Sequence, residues 1–222
     1  MRVFAVIIFQ MDRKERALEV ARLLKKEHPK PKTELNHENE MQLAISVAMS
    51  AQTTDKKVNQ VNEKLFKKYK TWQDFANANL EELQLDMHGI NFHRGKAERV
   101  IKMAQMVIND FGGKLPQNMV DLMKLPGVAR KSSNVIMQEL WDIAEGIVVD
   151  THVTRVSNRL GLTEYQDAVK IEKDLMELLP KESWRNISGA MVLHGRYVCT
   201  ARKPKCGECV LNKICPSAFT FE

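Results

Sequence analysis

The amino-acid sequence predicts an all-α protein, and two observations support this prediction. Apolar residues recur at helical spacing along most of the chain, as in residues 13–27, where Ala17, Val20 and Leu24 share one face. Only 10 glycines and 7 prolines occur among 222 residues, which is too few for the many turns of a β-sandwich or barrel. Hydrophobic residues make up 44% of the chain and charged residues 28%, so the composition excludes a disordered or fibrous protein.

The first ten residues precede the helical pattern. Their apolar run, Val3 to Phe9, is far shorter than the ~20 residues that span a bilayer, and no small-residue cleavage site follows it. Residues 1–10 are therefore interpreted as an N-terminal extension, and Met11 is a second candidate for the natural start. Since nothing else suggests export or a membrane, we expect a cytoplasmic protein.

Local start and stop signals predict the helices of the first half. After the helix over 13–27, residues 28–32 contain two prolines and predict an extended linker. The next helices are expected at Met41 to Ala51, at Asp55 to Tyr69 with Asp55 as N-cap, at two short segments opened by Thr71 and Leu80, and at Gly95 to Phe111.

Helices are also expected throughout the second half. Ile147 to Val149 could form a strand, but three residues do not make a sheet. The expected helices cover Pro116 to about Lys124, Arg130 to Trp141, a segment capped by Asp150, a segment opened by Thr163 and stopped by Pro180, and about Trp184 to Tyr197.

Four cysteines lie within 17 residues near the end of the chain, and the first 198 residues contain none. This clustering predicts one shared metal site, because disulfides are rare in a cytosolic chain. Structural zinc is usually bound by two short chelating pairs, whereas a four-iron cluster takes its ligands at separate corners. Only one short pair is present, so the spacing favours iron–sulfur over zinc. The four are Cys199, Cys206, Cys209 and Cys215.

Basic residues occupy the loop between the first two cysteines. A metal centre at both ends would fix Arg202, Lys203 and Lys205 for contacts with phosphates, although solvated surface charges are the alternative. The formal net charge of +6 makes a polyanionic partner plausible.

Residues 122–135 predict two helices joined by a tight turn. Gly127 would allow close backbone approach, and the free amides at the start of the second helix would bind an anion such as a phosphate. Lys131 follows in the first turn, where the helix dipole disfavours a cation. We therefore expect Lys131 to work with a lowered pKa, which burial, nearby cations and the helix start would all favour, with surface decoration as the alternative.

Asp150 follows an apolar triplet and precedes an amphipathic helix, so it is predicted to be an N-cap. A buried helix start can also hold an ionised carboxylate for chemistry. Arg155 and Arg159 lie four residues apart on one helix face, where they could meet phosphates or acidic side chains.

Together these segments resemble endonuclease III, of the helix-hairpin-helix DNA glycosylase superfamily. The resemblance is collinear from about Met11 to Cys215 and covers nearly the whole chain. It rests on the segments SAQTTDKKVN, LPGVARKSSNV, VVDTHVTRVSNRL and LHGRYVCTARKPKCGECVLNKIC.

The resemblance implies a cleft between two domains. A helical barrel domain would span residues 33–143, and residues 11–32 and 144–222 would form a second domain with a [4Fe–4S] cluster bound by the four cysteines at 199–215. Lys131 matches the family's nucleophile and Asp150 its essential carboxylate. Gln52 matches the residue that fills the hole in the base stack, and Phe92 matches an apolar wedge on the opposite strand.

Three positions depart from the family pattern. Ala129 stands where the hairpin most often has a second glycine, so the turn could be shifted or approach phosphate more tightly. Asn91 stands where glycine is usual, and asparagine tolerates a left-handed backbone. Phe92 is larger than the commoner leucine, and an alternative alignment makes Ile90 the wedge.

The implied function is that of a bifunctional DNA glycosylase/AP lyase. Such an enzyme removes oxidised or ring-saturated pyrimidines, and cleaves abasic sites, in double-stranded DNA; we expect a monomer associated with the nucleoid through DNA. The alternatives are a mismatch-specific thymine or adenine glycosylase of the same superfamily, and a non-catalytic iron–sulfur module that binds DNA.

Overall fold

The computed structural model describes residues 11–221, which contain eleven α-helices and no strand, so the all-α prediction is confirmed. The segment Val3 to Phe9 lies outside the described residues. The helices in chain order are α1 (Arg13–Glu27), α2 (Glu40–Ser50), α3 (Asp55–Lys68), α4 (Trp72–Ala76), α5 (Leu80–Asp86), α6 (His93–Phe111), α7 (Met119–Leu122), α8 (Arg130–Trp141), α9 (Thr151–Arg159), α10 (Ala168–Leu178) and α11 (Lys181–Tyr197).

The chain divides into two compact units. One unit contains Thr33–Ile143 and therefore helices α2 to α8. Its centre is α2, which is buried on nearly all sides and packs against α3, α6 and α8. A helix that is apolar all round belongs inside a core, so α2 is the element on which the rest of this unit is assembled.

The second unit contains the described chain before Thr33 and after Ile143. Its longest helix, α11, packs against α1 and α9, and α10 packs against α1. Leu24 of α1, Val153 of α9 and Met191 of α11 lie in its apolar core with almost no exposed surface. The helices of this unit therefore come from both ends of the chain and share one core.

Two predicted helix starts are wrong, because in each case the residue taken as the start of the helix is not its N-cap. The N-cap of α3 is Thr54 and not Asp55, since the Thr54 hydroxyl accepts a hydrogen bond from the Lys57 amide. Thr163 does not open α10, because its hydroxyl donates to Asp174 at 2.6 Å, and Asp167 caps the helix instead. In both cases the true cap has an oxygen placed to accept from the third amide of the helix.

Other helix boundaries also differ from the prediction. Helix α7 begins at Met119 after the cap Asn118, not at Pro116. Helix α6 begins at His93, two residues before the predicted Gly95, and α11 begins at Lys181, three residues before Trp184. The apolar pattern located each helix but did not give the residue at which it begins.

Ile147 to Val149 are buried and form no strand within the described chain. Asp150, at the start of α9, directly follows this buried segment. No helix in residues 11–221 is long and apolar enough to cross a membrane.

Candidate active site and metal centre

The connection between α7 and α8 is a tight hairpin turn. The Val128 amide donates to the Leu125 carbonyl at 3.0 Å, and Gly127 has a φ of 87°, which side chains other than glycine rarely allow. A Cβ on Gly127 would meet Ala48 and Arg99 at ordinary contact distances, 3.6 Å and longer. The backbone conformation, not a lack of space, therefore requires the glycine.

Ala129 is the N-cap of α8 and has a φ of −103°, which any residue adopts. The departure from the family glycine therefore requires no shift of the turn. Ala129 makes no side-chain cap bond to the helix, so the amides of the first turn receive no acceptor from their cap residue. A helix start of this kind, next to an exposed turn, is suited to bind an anion.

Lys131 is the second residue of α8, and its side chain is exposed. The expectation of a buried amine is therefore wrong. Among residues 11–221, no acidic or carbonyl group forms an ion pair or hydrogen bond with the Lys131 amine. The structure shows one influence on the charge of this amine. The amine belongs to the first turn of α8, where the helix dipole disfavours a cation.

Asp150 is the N-cap of α9, as predicted. Its Oδ1 accepts hydrogen bonds from the amides of His152 at 2.8 Å and Val153 at 2.9 Å. The helix dipole favours an ionised carboxylate at this position. Within the described part of the chain Oδ2 accepts no bond, so one oxygen anchors the carboxylate and the other remains available for chemistry.

Gln52 and Phe92 are both exposed and both have left-handed backbone, with φ of 56° and 59°. They line one open concavity together with Arg94 and Arg99. Phe92 is 70% exposed, whereas Ile90 is 2% exposed and lies in the core, so the alternative wedge at Ile90 is wrong. The left-handed residue of this turn is Phe92 and not Asn91.

Lys96 was missed by the sequence analysis. It is 5% exposed and lies one turn before Val100 on the inward face of α6. Burial, with a smaller contribution from Arg99, lowers the pKa of Lys96 to about 8. The available signal was a lysine at a position where the apolar stripe of α6 continues.

All four cysteines are free thiols, and they line a single small cavity of about 30 Å³. Val156 and Leu160 of α9 and Leu211 form apolar parts of its wall. Among the described residues no three His, Cys, Asp or Glu side chains are grouped as for a single metal ion. The ligands of an iron–sulfur cluster bind separate irons, so they need to surround a cavity and not to converge on one point.

Hydrogen-bond donors approach two of the sulfurs. Arg159 Nη1 donates to Cys199 Sγ at 3.3 Å, and the Leu211 amide donates to Cys209 Sγ at 3.4 Å. Burial raises the pKa of the Cys209 thiol to about 11. A buried thiolate therefore needs a bound cationic centre, and the donor set of four thiols with N–H groups at the sulfurs fits an iron–sulfur cluster.

The loop between Cys199 and Cys206 is closed by one side-chain and one backbone hydrogen bond. The Thr200 hydroxyl donates to the Lys203 carbonyl at 2.7 Å, and the Lys205 amide donates to the Val198 carbonyl at 3.0 Å. The three predicted phosphate-binding side chains are exposed, and none forms an ion pair within residues 11–221. They are Arg202, Lys203 and Lys205.

Arg155 and Arg159 bind backbone carbonyls of their own unit. Arg155 donates to Cys199 O at 3.0 Å and to Gly195 O at 2.6 Å. Arg159 donates to Thr200 O at 2.7 Å and to the next carbonyl at 2.9 Å. Both guanidinium groups therefore position the cysteine loop, and a contact between Arg155 and DNA stays a prediction.

The predicted site residues belong to two different units. Gln52, Phe92, Gly127, Ala129 and Lys131 lie within Thr33–Ile143. The other unit provides the carboxylate, the arginines and the metal ligands: Asp150, Arg155, Cys199, Arg202, Lys203, Lys205, Cys206, Cys209 and Cys215.

Two family models match this chain. The model of the HhH-GPD superfamily base excision DNA repair protein matches residues 45–181, which include the hairpin and Asp150. The model of the iron–sulfur binding domain of endonuclease III matches residues 199–215, which include all four cysteines. Each predicted site residue therefore lies inside one or the other of the two matched segments.

Curated relatives match over nearly the whole chain. Endonuclease III of Synechocystis sp. is 42% identical over 206 residues, which cover 93% of this chain and 94% of that protein. Endonuclease III of Bacillus subtilis is 44% identical over 188 residues, covering 84% of this chain and 85% of that protein.

Solved structures agree with these matches. A trapped covalent intermediate of endonuclease III with DNA matches with a TM-score of 0.87 at 39% identity and covers 93% of this chain and 97% of that chain. A thermostable thymine-DNA glycosylase matches with a TM-score of 0.80 at 22% identity, which shows the shared fold alone. With the paired family models and this coverage, the chain belongs to the HhH-GPD superfamily of base excision DNA repair proteins and, within it, to the endonuclease III family.

Proposed function

We propose that this base excision repair glycosylase removes oxidised or ring-saturated pyrimidines from double-stranded DNA and cleaves the resulting abasic strand. Lys131 is the nucleophile and Asp150 is its essential carboxylate. The observation that supports this proposal is the placement of the Lys131 amine, exposed and unpaired within the described chain, at the start of α8 beside the anion-binding turn. The protein works as a monomer in the cytoplasm, associated with the nucleoid through DNA.

The hairpin binds the DNA backbone. The amides at the start of α8 donate hydrogen bonds to a phosphate oxygen, and Gly127 provides the left-handed backbone that the exposed turn requires. Because these contacts use only backbone groups, they fix the position of the strand without reading its sequence.

The reaction begins when the neutral Lys131 amine attacks C1′ of the sugar. The C1′–N bond breaks as the new C–N bond forms, and the base leaves with the bonding electrons. Asp150, fixed by the His152 and Val153 amides, stabilises positive charge on the sugar or accepts the proton released by the amine. The damaged base must first leave the stack, at a cost of a few kcal/mol.

An imine forms when the nitrogen lone pair makes the C1′=N bond, the C1′–O4′ bond breaks to open the sugar ring, and O4′ takes up a proton. Strand cleavage follows from this imine. Loss of a proton from C2′ supplies the electrons that break the C3′–O bond, so the 3′ phosphate leaves and water then releases Lys131. The endonuclease III whose covalent intermediate with DNA was trapped supports an enzyme–DNA bond of this type.

Cys199, Cys206, Cys209 and Cys215 would hold the [4Fe–4S] cluster, which would fix their loop through rigid Fe–S bonds. Bound at both ends of the basic loop, these cysteines hold Arg202, Lys203 and Lys205 toward phosphates. No step of base removal requires the cluster itself.

Borohydride trapping on abasic duplex DNA tests the proposal. The wild-type protein should form a covalent adduct, and Lys131→Gln should form none. Lys124→Gln is the matched control, since Lys124 is an exposed lysine of the same hairpin whose amine pairs with Asp121 at 2.6 Å. A wild-type protein that binds abasic DNA without forming an adduct would instead be a non-catalytic DNA-binding module.

The lesion preference needs a separate measurement. Excision should be fastest for oxidised or ring-saturated pyrimidines among a panel that includes a G·T mismatch and an A·G mismatch. Faster removal of thymine or adenine from a mismatch would assign the protein to a mismatch-specific branch of the superfamily.

A further inference from the structure

Two exposed side chains share an unusual backbone state. Gln52 and Phe92 each have φ near +60°, a conformation that costs a non-glycine residue about 1 kcal/mol or more. Such residues persist where surrounding contacts hold them. The two residues lie forty positions apart in sequence, and they line the same concavity.

Asn91 joins the two segments. Its side-chain amide donates to the Gln52 carbonyl, and its backbone amide donates to the Thr53 hydroxyl at 3.2 Å. Asn91, which directly precedes Phe92, is therefore hydrogen-bonded to both Gln52 and Thr53. A glycine at position 91 would keep the backbone contact and lose the amide contact.

Lys96, which is buried, binds the segment that contains Gln52. Its Nζ donates to the carbonyls of Met49 at 2.7 Å and Ala51 at 2.6 Å, and to the Thr53 hydroxyl at 3.2 Å. The two carbonyls lie in the last turn of α2 and at its C-cap, where carbonyls lack helical partners and a cation is favoured. An ammonium has three N–H donors, which match the three acceptors.

The burial of Lys96 carries a cost. It holds the pKa at about 8, below the ordinary value, so the ionised form is destabilised by its surroundings. Core positions on α6 are otherwise apolar, as at Ala97 and Val100. Lys96 is a buried charge that is kept in spite of this cost, and it lies directly beneath the left-handed residues Gln52 and Phe92. This combination indicates a role beyond core packing.

We propose that Lys96 and Asn91 are positioning residues that hold Gln52 and Phe92 as one rigid pair for insertion into the DNA stack. The inference rests on the proposed function, since it assigns both side chains to DNA. Arg94 and Arg99 line the concavity and attract the phosphate backbone, while the fixed separation of the two side chains lets them enter the duplex together. When a base leaves the stack, the two side chains then occupy the space that it vacates.

The test compares two duplexes in single-turnover reactions of the full-length, cluster-containing enzyme. The first carries 5,6-dihydrothymine paired with adenine, so that removal requires opening of the stack. The second carries an abasic site facing a one-nucleotide gap, where the stack is already broken. Lys96→Met should slow the first reaction about tenfold or more and the second by less than about twofold, because only the first depends on insertion.

Lys102→Met is the matched control, since Lys102 is an exposed lysine on the same helix whose amine pairs with Glu98 at 2.6 Å. It should change neither rate. Lys96→Arg keeps a multivalent cationic donor and should restore part of the first rate. Equal losses on the two duplexes with Lys96→Met would overturn the inference, because they would show a general loss of structure.

Asn91→Ala provides an independent test that does not disturb the core, because Asn91 is exposed. It should slow the first reaction about threefold and leave the second unchanged. An unchanged first rate would overturn the inference even if Lys96→Met fails to fold. A wild-type enzyme that cleaves neither duplex would instead refute the proposed function.

Discussion

The hairpin between α7 and α8 and the loop of residues 199–215 both present groups for DNA or metal, but they are held differently. The hairpin is part of two helices whose apolar residues, such as Leu122 and Ile136, lie in the core of Thr33–Ile143. The loop has no α-helix of its own, and its carbonyls are held by Arg155 and Arg159. The hairpin should therefore keep its shape by packing, whereas the loop should depend on its bound cluster.

The largest expected effect tests that dependence. Cys209→Ala removes one cluster ligand from a cavity that four thiols share. We expect loss of the visible iron–sulfur absorption and a fall of several kcal/mol in the free energy of unfolding, since metal binding contributes directly to folding. Gly207→Ala is the control in the same loop, because a Cβ there meets nothing within 4 Å. Cluster absorption that survives in Cys209→Ala would contradict the comparison.

The buried amine of Lys96 gives the corresponding test in the packed unit. Its pKa is about 8 in the folded protein and about 10.4 when unfolded, so the unfolded chain binds more protons between these values. The stability of the wild type relative to Lys96→Met should therefore rise as pH increases from 8 to 10.5, by up to about 3 kcal/mol. Denaturant unfolding at pH 7, 9 and 10 measures this difference, and a flat or falling difference would contradict the burial of the charged form.

Arg159 tests how far side-chain contacts alone support the cysteine loop. Arg159→Met removes donations to Cys199 Sγ and to the carbonyls of Thr200 and Ala201. We expect a loss of about 2 kcal/mol and faster bleaching of the cluster in air. Arg202→Met should leave both properties unchanged because Arg202 is exposed. Unchanged bleaching in Arg159→Met would show that the cluster alone fixes the loop.

The sequence was sufficient to predict residues whose contacts lie close to them along the chain. Asp150 acts on amides two and three residues away, and the four cysteines lie within one short segment, so spacing was sufficient. Lys96 and Asn91 act on residues about forty positions away, which no local pattern reveals. The exposure of Lys131 likewise depends on how its helix packs, and so the expected burial was wrong.

The smallest effect concerns the hairpin itself, where two glycine substitutions should have opposite signs. Gly127→Ala places a side chain at φ 87°, so it should lower the free energy of unfolding by about 1 kcal/mol and weaken binding to abasic DNA. Gly95→Ala lies inside α6 with nothing within 4 Å of the new Cβ, and it should raise stability by about 0.5–1 kcal/mol. Thermal unfolding measures both changes. If Gly127→Ala is as stable as the wild type, the turn must relax to another conformation. Packing would then not fix the shape of the hairpin, and the contrast with the cysteine loop would fail.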